Sequence, residues 1–403
     1  MGGMMMSYQF VHSSVQGYSH IKHNQPCEDS GVIRENDQAK IFVVADGHGD
    51  SNCPRSAFGA DTICQIASEE LEVFAESIEK EGWSEWLFDE KQAEKLVRHL
   101  ITSIVGKWSE KVNQDYSKNP FTEDERQNAS RYIERYDRGE RIEHIYGTTM
   151  IAGLMTKEYL LLLQQGDGRM VVFDWDGNVS QPVPWDDRCF ANVTTSMCDI
   201  DVINSVRYYV IDLESHPIAA CFAGSDGVED SFYSMEQMHS YYRQLLLYAH
   251  EHSVDELNQW LDENLPEFSK NGSGDDTTIC GLIDEERIGT LIPYFEKENE
   301  RESLQSRLRR IDEKILSMES GKMEYLKQQY EKAKTDIENA EKEYREYVSL
   351  YEDLMKEKNE LQESIDAFIK SEKEQDFEEI TEAANDNDVL KKEEKDEHSI
   401  QNT

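Results

Sequence analysis

Ile41-Phe42-Val43-Val44-Ala45-Asp46-Gly47-His48-Gly49-Asp50 is the stretch from which the rest of the chain can be read. Five apolar residues, three of them β-branched, predict a buried strand, and the sequence then breaks into an acid, an imidazole and two glycines. A strand ending in a carboxylate delivers that oxygen to the sheet edge, while the glycines let the backbone turn sharply and expose a peptide carbonyl. Hard cations take such oxygens. A strand, a tight turn and a solvated histidine would read the same way in isolation, so the remainder of the chain decides between them.

Working outward, Tyr8 to Val15 predicts an earlier strand, followed by a polar loop that closes on Pro26-Cys27-Glu28-Asp29. Ala57 to Ile78 and Lys91 to Val112 carry apolar residues at helical period. Residues 113–144 are charged, aromatic and irregular, and a connection this long in a compact domain reads as a candidate lid. Then come Tyr146 to Leu154, Tyr159 to Leu163 and Met170 to Phe173, short apolar runs joined by turn residues, and Val206 to Leu213 and Ile218 to Ala223 continue the series. Helices over Met235 to Glu251 and Val254 to Leu265 precede a last strand, Thr277 to Ile283. Strands, two helices, many strands, two helices and a strand suit an α+β architecture. The expected form is a four-layer αββα sandwich, two antiparallel sheets face to face with helix pairs outside.

Four acids share one description. Asp46, Asp167 and Asp226 each end an apolar strand beside glycine, and Asp275 stands just before one. Any one of them is ordinary turn chemistry. Gathered at one end of a sandwich they would repel one another unless cations neutralise them, and oxygen ligands without thiols or histidine clusters favour Mg²⁺ or Mn²⁺ over Zn²⁺.

Glu28-Asp29, Asp46-Gly47-His48-Gly49, Gly147-Thr148-Thr149, Gly166-Asp167-Gly168-Arg169, Ser225-Asp226-Gly227 and Asp275-Asp276, in this order, resemble the motif series of the metal-dependent (type 2C) protein phosphatases. The resemblance spans about Tyr8 to Ile283 and implies the same αββα fold, with hydrolysis of phosphoserine and phosphothreonine as the activity. It implies two Mn²⁺ or Mg²⁺ ions, with Asp46 bridging them, the Gly47 carbonyl on one, and Asp226 and Asp275 on the other. Glu28 would act through metal-bound water, Asp29 and Asp276 would stand behind the ligands, and Asp167 with Asp226 matches the position of a third, weaker metal. A water shared by the two metals would attack phosphorus, and His48 would serve as general acid to the leaving alkoxide.

Some positions depart from the family pattern. Many relatives carry an arginine four residues before the paired acids, where this chain has Asn24. His20, Lys22 and His23, which flank it, and Arg169 are the candidates to hold the substrate phosphate instead, Lys22 and His23 foremost among the flanking three. Gly168 and Asp276 replace a common serine and asparagine. Trp185 to Ile200, including Asn192, falls where relatives place a flap, and an ordinary hairpin loop reads equally well. A phosphatase-fold scaffold with weak or no catalysis, binding a partner through its helices, is the alternative that the missing arginine keeps open.

The composition is not uniform. All eight prolines lie at or before Pro293, all six tryptophans at or before Trp260 and all seven cysteines at or before Cys280. This places a phosphatase domain over residues 1–293. From Leu304 apolar residues recur at heptad spacing, restarting after Gly321 as Met323, Leu326, Tyr330, Ala333, Ile337, Ala340, Tyr344, Tyr347, Tyr351, Leu354, Lys358, Leu361, Ile365 and Phe368. A coiled coil is expected over 294–375, with a hairpin break near Gly321 and either self-association or a partner helix as its use. Residues 376–403 are acidic and without periodicity, an expected disordered tail. The net charge of −41 argues against nucleic acid and anionic membranes as partners. An odd, scattered set of cysteines fits reduced thiols, there is no eighteen-residue apolar run, and Met6 stands where a myristoylation signal wants Ser or Thr. These features point to a soluble, cytoplasmic protein.

Overall fold

The apolar stretch around Val43 forms β3 (Lys40–Asp46), which buries both faces and so needs no alternation in its sequence. Ile41, Val43 and Ala45 face a helical layer, while Phe42 and Val44 face a second sheet. The computed structural model describes residues 8–129, 132–190, 193–316 and 323–397. The opening Met-Gly-Gly, Asn192 and the break expected at Gly321 lie outside them.

The strands build two five-stranded sheets, with every pairing antiparallel. One has the order β1 (Tyr8–Val15), β10 (Thr277–Asp284), β9 (Ile218–Gly224), β6 (Arg169–Asp174), β7 (Val179–Ser180). The other runs β2 (Asp29–Glu35), β3, β4 (Met150–Met155), β5 (Tyr159–Gln165), β8 (Arg207–Asp212). Between the sheets lie Phe42, Ile151, Leu160, Leu162, Val172, Cys221 and Leu282. On the outer face of the second sheet, α2 (Ser56–Glu81) and α3 (Glu90–Lys118) bury Ile63, Leu71, Val97, Ile101 and Trp108. On the outer face of the first, α8 (Met235–Glu251) and α9 (Val254–Asn271) bury Met238, Tyr242, Leu245, Leu257 and Leu261. Each of these aliphatic side chains contributes about 1.5–3 kcal/mol relative to exposure. The four-layer αββα sandwich expected from the element order is the observed fold.

Several elements differ from expectation. The polar loop after β1 contains a short helix, α1 (Tyr18–His23), which has no buried residue to betray it by periodicity. Residues 113–144 are not a loose lid. α3 continues to Lys118, and α4 (Glu123–Asn128), α5 (Ile133–Asp137) and a 3₁₀ turn over Ile142–Tyr146 follow. Ala129, Tyr136 and Ile142 are buried against the α2/α3 layer. α9 runs past Pro266 because buried Leu265 and Ser269 hold its last turns. The remaining short helices are α6 (Val202–Ser205) and α7 (Asp226–Glu229).

Pro293 does not end the domain. It lies inside α10 (Glu285–Leu316), and Phe295 is fully buried in the α8/α9 core, so the first compact unit extends to Glu302. The second unit begins at Ser303 and contains the end of α10 and α11 (Met323–Glu397). The helix continues well beyond residue 376, where a disordered tail was expected. Residues 376–397 contain neither Gly nor Pro, the two strongest helix breakers, and Glu is their commonest residue. No helix among the described residues is long and apolar enough to cross a membrane. All seven cysteines are free thiols.

Candidate active site

The end of β3 is locked in place by the Gly147-Thr148-Thr149 motif. The Asp46 N–H donates to Thr149 Oγ1 (3.0 Å), and the Asp46 carbonyl accepts from Thr149 N–H (2.8 Å) and Thr148 Oγ1 (2.9 Å). His48 N–H donates to the Gly147 carbonyl at 3.1 Å. Gly147 has to be glycine, since a Cβ there would stand 2.5 Å from His48 Cδ2. Antiparallel pairing of β2 and β3 sets Asp29 opposite Asp46, and Gly47 N–H donates to the Glu28 carbonyl at 3.1 Å.

The other sheet supplies the remaining acids. β9 ends at Gly224, and Ser225 bonds across to β10: its N–H donates to the Thr278 carbonyl (3.1 Å), while its Oγ accepts from Thr278 N–H (3.0 Å). This presents Asp226 at the first turn of α7, with its carboxyl in hydrogen-bonding reach of Asp46. Asp275 and Asp276 occupy the turn before β10, where Ser269 Oγ at the end of α9 donates to the Asp275 carbonyl (2.8 Å). Asp276 is buried and gathers three donors: Gly17 N–H at 2.6 Å, Glu28 N–H at 2.5 Å and His20 Nδ1 at 2.9 Å.

The electrostatics are those of an anionic pocket. Burial raises the Asp46 and Asp29 carboxyls well above the ordinary carboxylate value, and Asp226 adds to the effect on both. Burial, then the charges of Asp167, Asp275 and Asp230, push Asp226 up to about 7. Glu28 is raised by burial, though Ser56 Oγ donates to its Oε1 at 2.5 Å. Glu28 Oε2 and Asp29 Oδ2 are buried without a hydrogen-bond partner among the described residues. Acceptor oxygens left over in a buried acidic cluster call for protons or cations. A set of carboxylates is the donor chemistry of Mg²⁺ and Mn²⁺, so these residues fit such ions.

The structure therefore brings Glu28, Asp29, Asp46, Asp226, Asp275 and Asp276 to one end of the sandwich, and Asp167 lies close enough to act electrostatically on Asp226 and His48. The phosphate candidates are not gathered in the same way. Arg169 is held by both oxygens of Glu229, with Nη2 2.5 Å from Oε1, and its guanidinium stacks 3.7 Å above the Trp185 ring. Lys22 and His23 are exposed on α1, and His23 Nδ1 faces the Ser19 carbonyl at 2.8 Å. Ser56, which holds Glu28, carries no sequence signal, and His20, expected among the basic residues flanking Asn24, instead faces Asp275 and Asp276.

The described part of Trp185 to Ile200 is braced from beneath. Thr195 Oγ1 accepts from Gly166 N–H (3.2 Å), Met197 N–H donates to the Thr148 carbonyl (2.8 Å), and Asp186 pairs with Arg188 (2.7 Å). Phe190 and Val193 pair through their backbones and are exposed.

Compared with known proteins, residues 16–265 match the family model described as Protein phosphatase 2C. No curated protein matches the chain. Among solved structures, a bacterial serine phosphatase is similar at 18% identity and a TM-score of 0.42, covering 69% of this chain and 97% of that one. The serine/threonine phosphatase Stp1 from Staphylococcus aureus is similar at 18% identity and 0.41, covering 68% and 94%. The catalytic domain of the phosphatase PstP, in complex with two manganese ions, is similar at 14% identity and 0.37, covering 68% and 97%.

Proposed function

Because the chain belongs to the protein phosphatase 2C family, and is thereby a serine/threonine protein phosphatase, we propose that the acids at the end of its sandwich hold two divalent cations, Mn²⁺ or Mg²⁺, and form its catalytic centre. Asp46, the Gly47 carbonyl, Asp226 and Asp275 are the ligands, with Glu28 acting beside them and Asp167 with Asp226 available to a third, weaker ion. When bound there, the cations activate water and offset the charge that develops as the phosphate ester is cleaved. Thr148 and Thr149 hold the Asp46 backbone so that its carboxylate meets Asp226. Asp29 and Asp276 fix strand ends and turns behind the ligands, and Asp276 ties the Glu28 backbone to the β10 turn. His48 gives its proton to the departing serine or threonine oxygen. Lys22 and His23, exposed on α1, are the side chains left to meet the substrate phosphate, since Arg169 is engaged by Glu229.

The observation that supports this most directly is the meeting of half-buried Asp46, at the end of one sheet, with Asp226, just past a strand of the other, beside orphaned carboxylate oxygens on Glu28 and Asp29. The test is hydrolysis of a phosphoserine peptide with and without Mn²⁺, alongside Asp46→Ala and Asp226→Ala. The unmodified chain is expected to need the metal and to be stabilised by it in thermal melts, and each variant is expected to lose roughly two orders of magnitude or more in turnover. Equal rates in all three proteins would overturn the assignment.

The appendage is read as a self-association element. Tyr347, Leu350, Tyr351, Leu354, Leu361 and Ile365 lie along one side of α11 and are each about half exposed, a stripe that a second copy would cover.

A further inference from the structure

We infer that His20 is a nitrogen ligand to the cation that Asp275 holds. The inference rests on the reading of the acidic centre as a divalent-metal site, and adds to it a ligand of a different element from an unexpected helix.

The two ring nitrogens of His20 face different surroundings. Nδ1 stands 2.9 Å from Asp276 Oδ2 and 3.1 Å from the Pro26 carbonyl oxygen, and both neighbours are acceptors, so Nδ1 carries a proton toward them. Asp276 is itself immobile, gripped by the backbone N–H groups of Gly17 and Glu28. A fixed carboxylate that orients an imidazole through Nδ1–H is the arrangement by which proteins aim the opposite nitrogen at a metal.

Nε2 points to Asp275 Oδ1 at 3.5 Å. A charge-assisted N–H···O contact would close to about 2.7–2.9 Å, and 3.5 Å is outside productive hydrogen-bond geometry. Two ligand atoms each about 2.0–2.2 Å from one cation stand roughly 3–3.5 Å apart, which is the separation seen. The Asp275 side chain is half exposed, so an ion reaches the gap from solvent, while that of His20 is 13% exposed and has little freedom to turn away. One donor atom from each of His20, Asp275 and Asp276 lies within 4.8 Å of the others. The nitrogen donor departs from the oxygen-only set read in the sequence, and it favours Mn²⁺ over Mg²⁺, which keeps to oxygen and water.

The experiment is pulsed electron paramagnetic resonance on the full chain loaded with Mn²⁺. ¹⁴N modulation of the Mn²⁺ signal is expected in the unmodified protein and in His23→Gln, and is lost in His20→Gln and His20→Ala. The Mn²⁺ dissociation constant, read from the free-ion signal, is expected to rise about tenfold or more in both His20 variants, with a smaller change for Mg²⁺ in competition. If neither variant folds, ¹⁵N-histidine labelling of the unmodified chain still decides, because an imidazole ligand converts the modulation to the ¹⁵N pattern. Mn²⁺ bound without nitrogen modulation, or modulation that survives in a folded His20→Gln, overturns the inference and leaves the acidic metal site standing. A chain that binds no Mn²⁺ overturns both.

Discussion

His48 is desolvated at the end of β3, and that burial holds its imidazole below the ordinary value of 6.5, with the nearby Asp167 charge pulling the other way. Proton donation matters most where the leaving group is poor. His48→Gln is therefore expected to slow hydrolysis of a phosphoserine peptide roughly 10²-fold, yet to leave p-nitrophenyl phosphate nearly untouched, because nitrophenolate departs without a proton. Equal losses on the two substrates would assign His48 a purely structural part. Asp186 carries a pH signature of its own. Hydrogen bonds from Arg188 hold its carboxyl at about 2, below its ordinary 3.8. A group depressed on folding stabilises fully above the unfolded value, so this contribution is complete above about pH 4 and disappears as pH falls through about 2. In acid denaturation, Asp186→Asn should be less stable than the parent at pH 5, with the gap closing near pH 2. Asp46, Asp167, Asp226 and Asp275 stand out in the sequence because each is an Asp beside glycine next to a strand, whereas Glu28, Asp29 and Asp276 lack that mark and are pointed to only by the ordered motif series. His20 and Arg169 could be named as basic candidates but not given their partners, which lie far along the chain: Asp275 and Asp276 for one, Glu229 for the other.

The same contrast holds for whole elements. β3, α2, α3 and α8 announce themselves because each presents an unbroken or periodic apolar set to a packed layer. Residues 113–144 lack that pattern because much of their order comes from one cation on another element. Arg55, at the entrance to α2, donates to Glu125 (2.7 Å), Asp115 (3.1 Å), the Asn119 carbonyl (2.8 Å) and the Tyr146 hydroxyl (3.0 Å), and its guanidinium lies 5.2 Å from the Phe121 ring centre. Its side chain is only 11% exposed, so Arg55→Ala would leave two carboxylates facing each other in a half-buried site. The expected cost is about 2–3 kcal/mol in urea unfolding, below the full figure for a buried pair because Glu125 and Asp115 keep some solvent. Hydrogen exchange should rise selectively over α4 and α5. A variant with unchanged exchange there would return this segment to the status of an independent lid.

For the molecule as a whole, charge and the α11 stripe oppose each other. Tyr347, Tyr351, Leu354, Leu361 and Ile365 repeat at heptad spacing, and the one charged residue interrupting them is Lys358. Parallel pairing in register would set two Lys358 ammonium groups against each other. An antiparallel pair centred near Lys356 sets Lys358 beside Leu354 of the other copy, with Asp353 and Glu357 flanking it. The polar seam residue would thus favour an antiparallel over a parallel pair. Against this stands the net charge of −41 on each chain, whose repulsion reaches about 10 Å at 0.1 M salt and about 3 Å at 1 M. Association should therefore strengthen as salt is added, the reverse of a contact held by exposed ion pairs. Light scattering after size exclusion is expected to show monomer at low ionic strength and dimer at high. A chain ending at Glu302 should stay monomeric throughout, and Leu354→Glu with Leu361→Glu should abolish the dimer without altering turnover on a small phosphate ester. Monomer at every salt concentration would sink the self-association reading, and a dimer that dissociates as salt rises would show that charge pairs rather than the apolar stripe hold it.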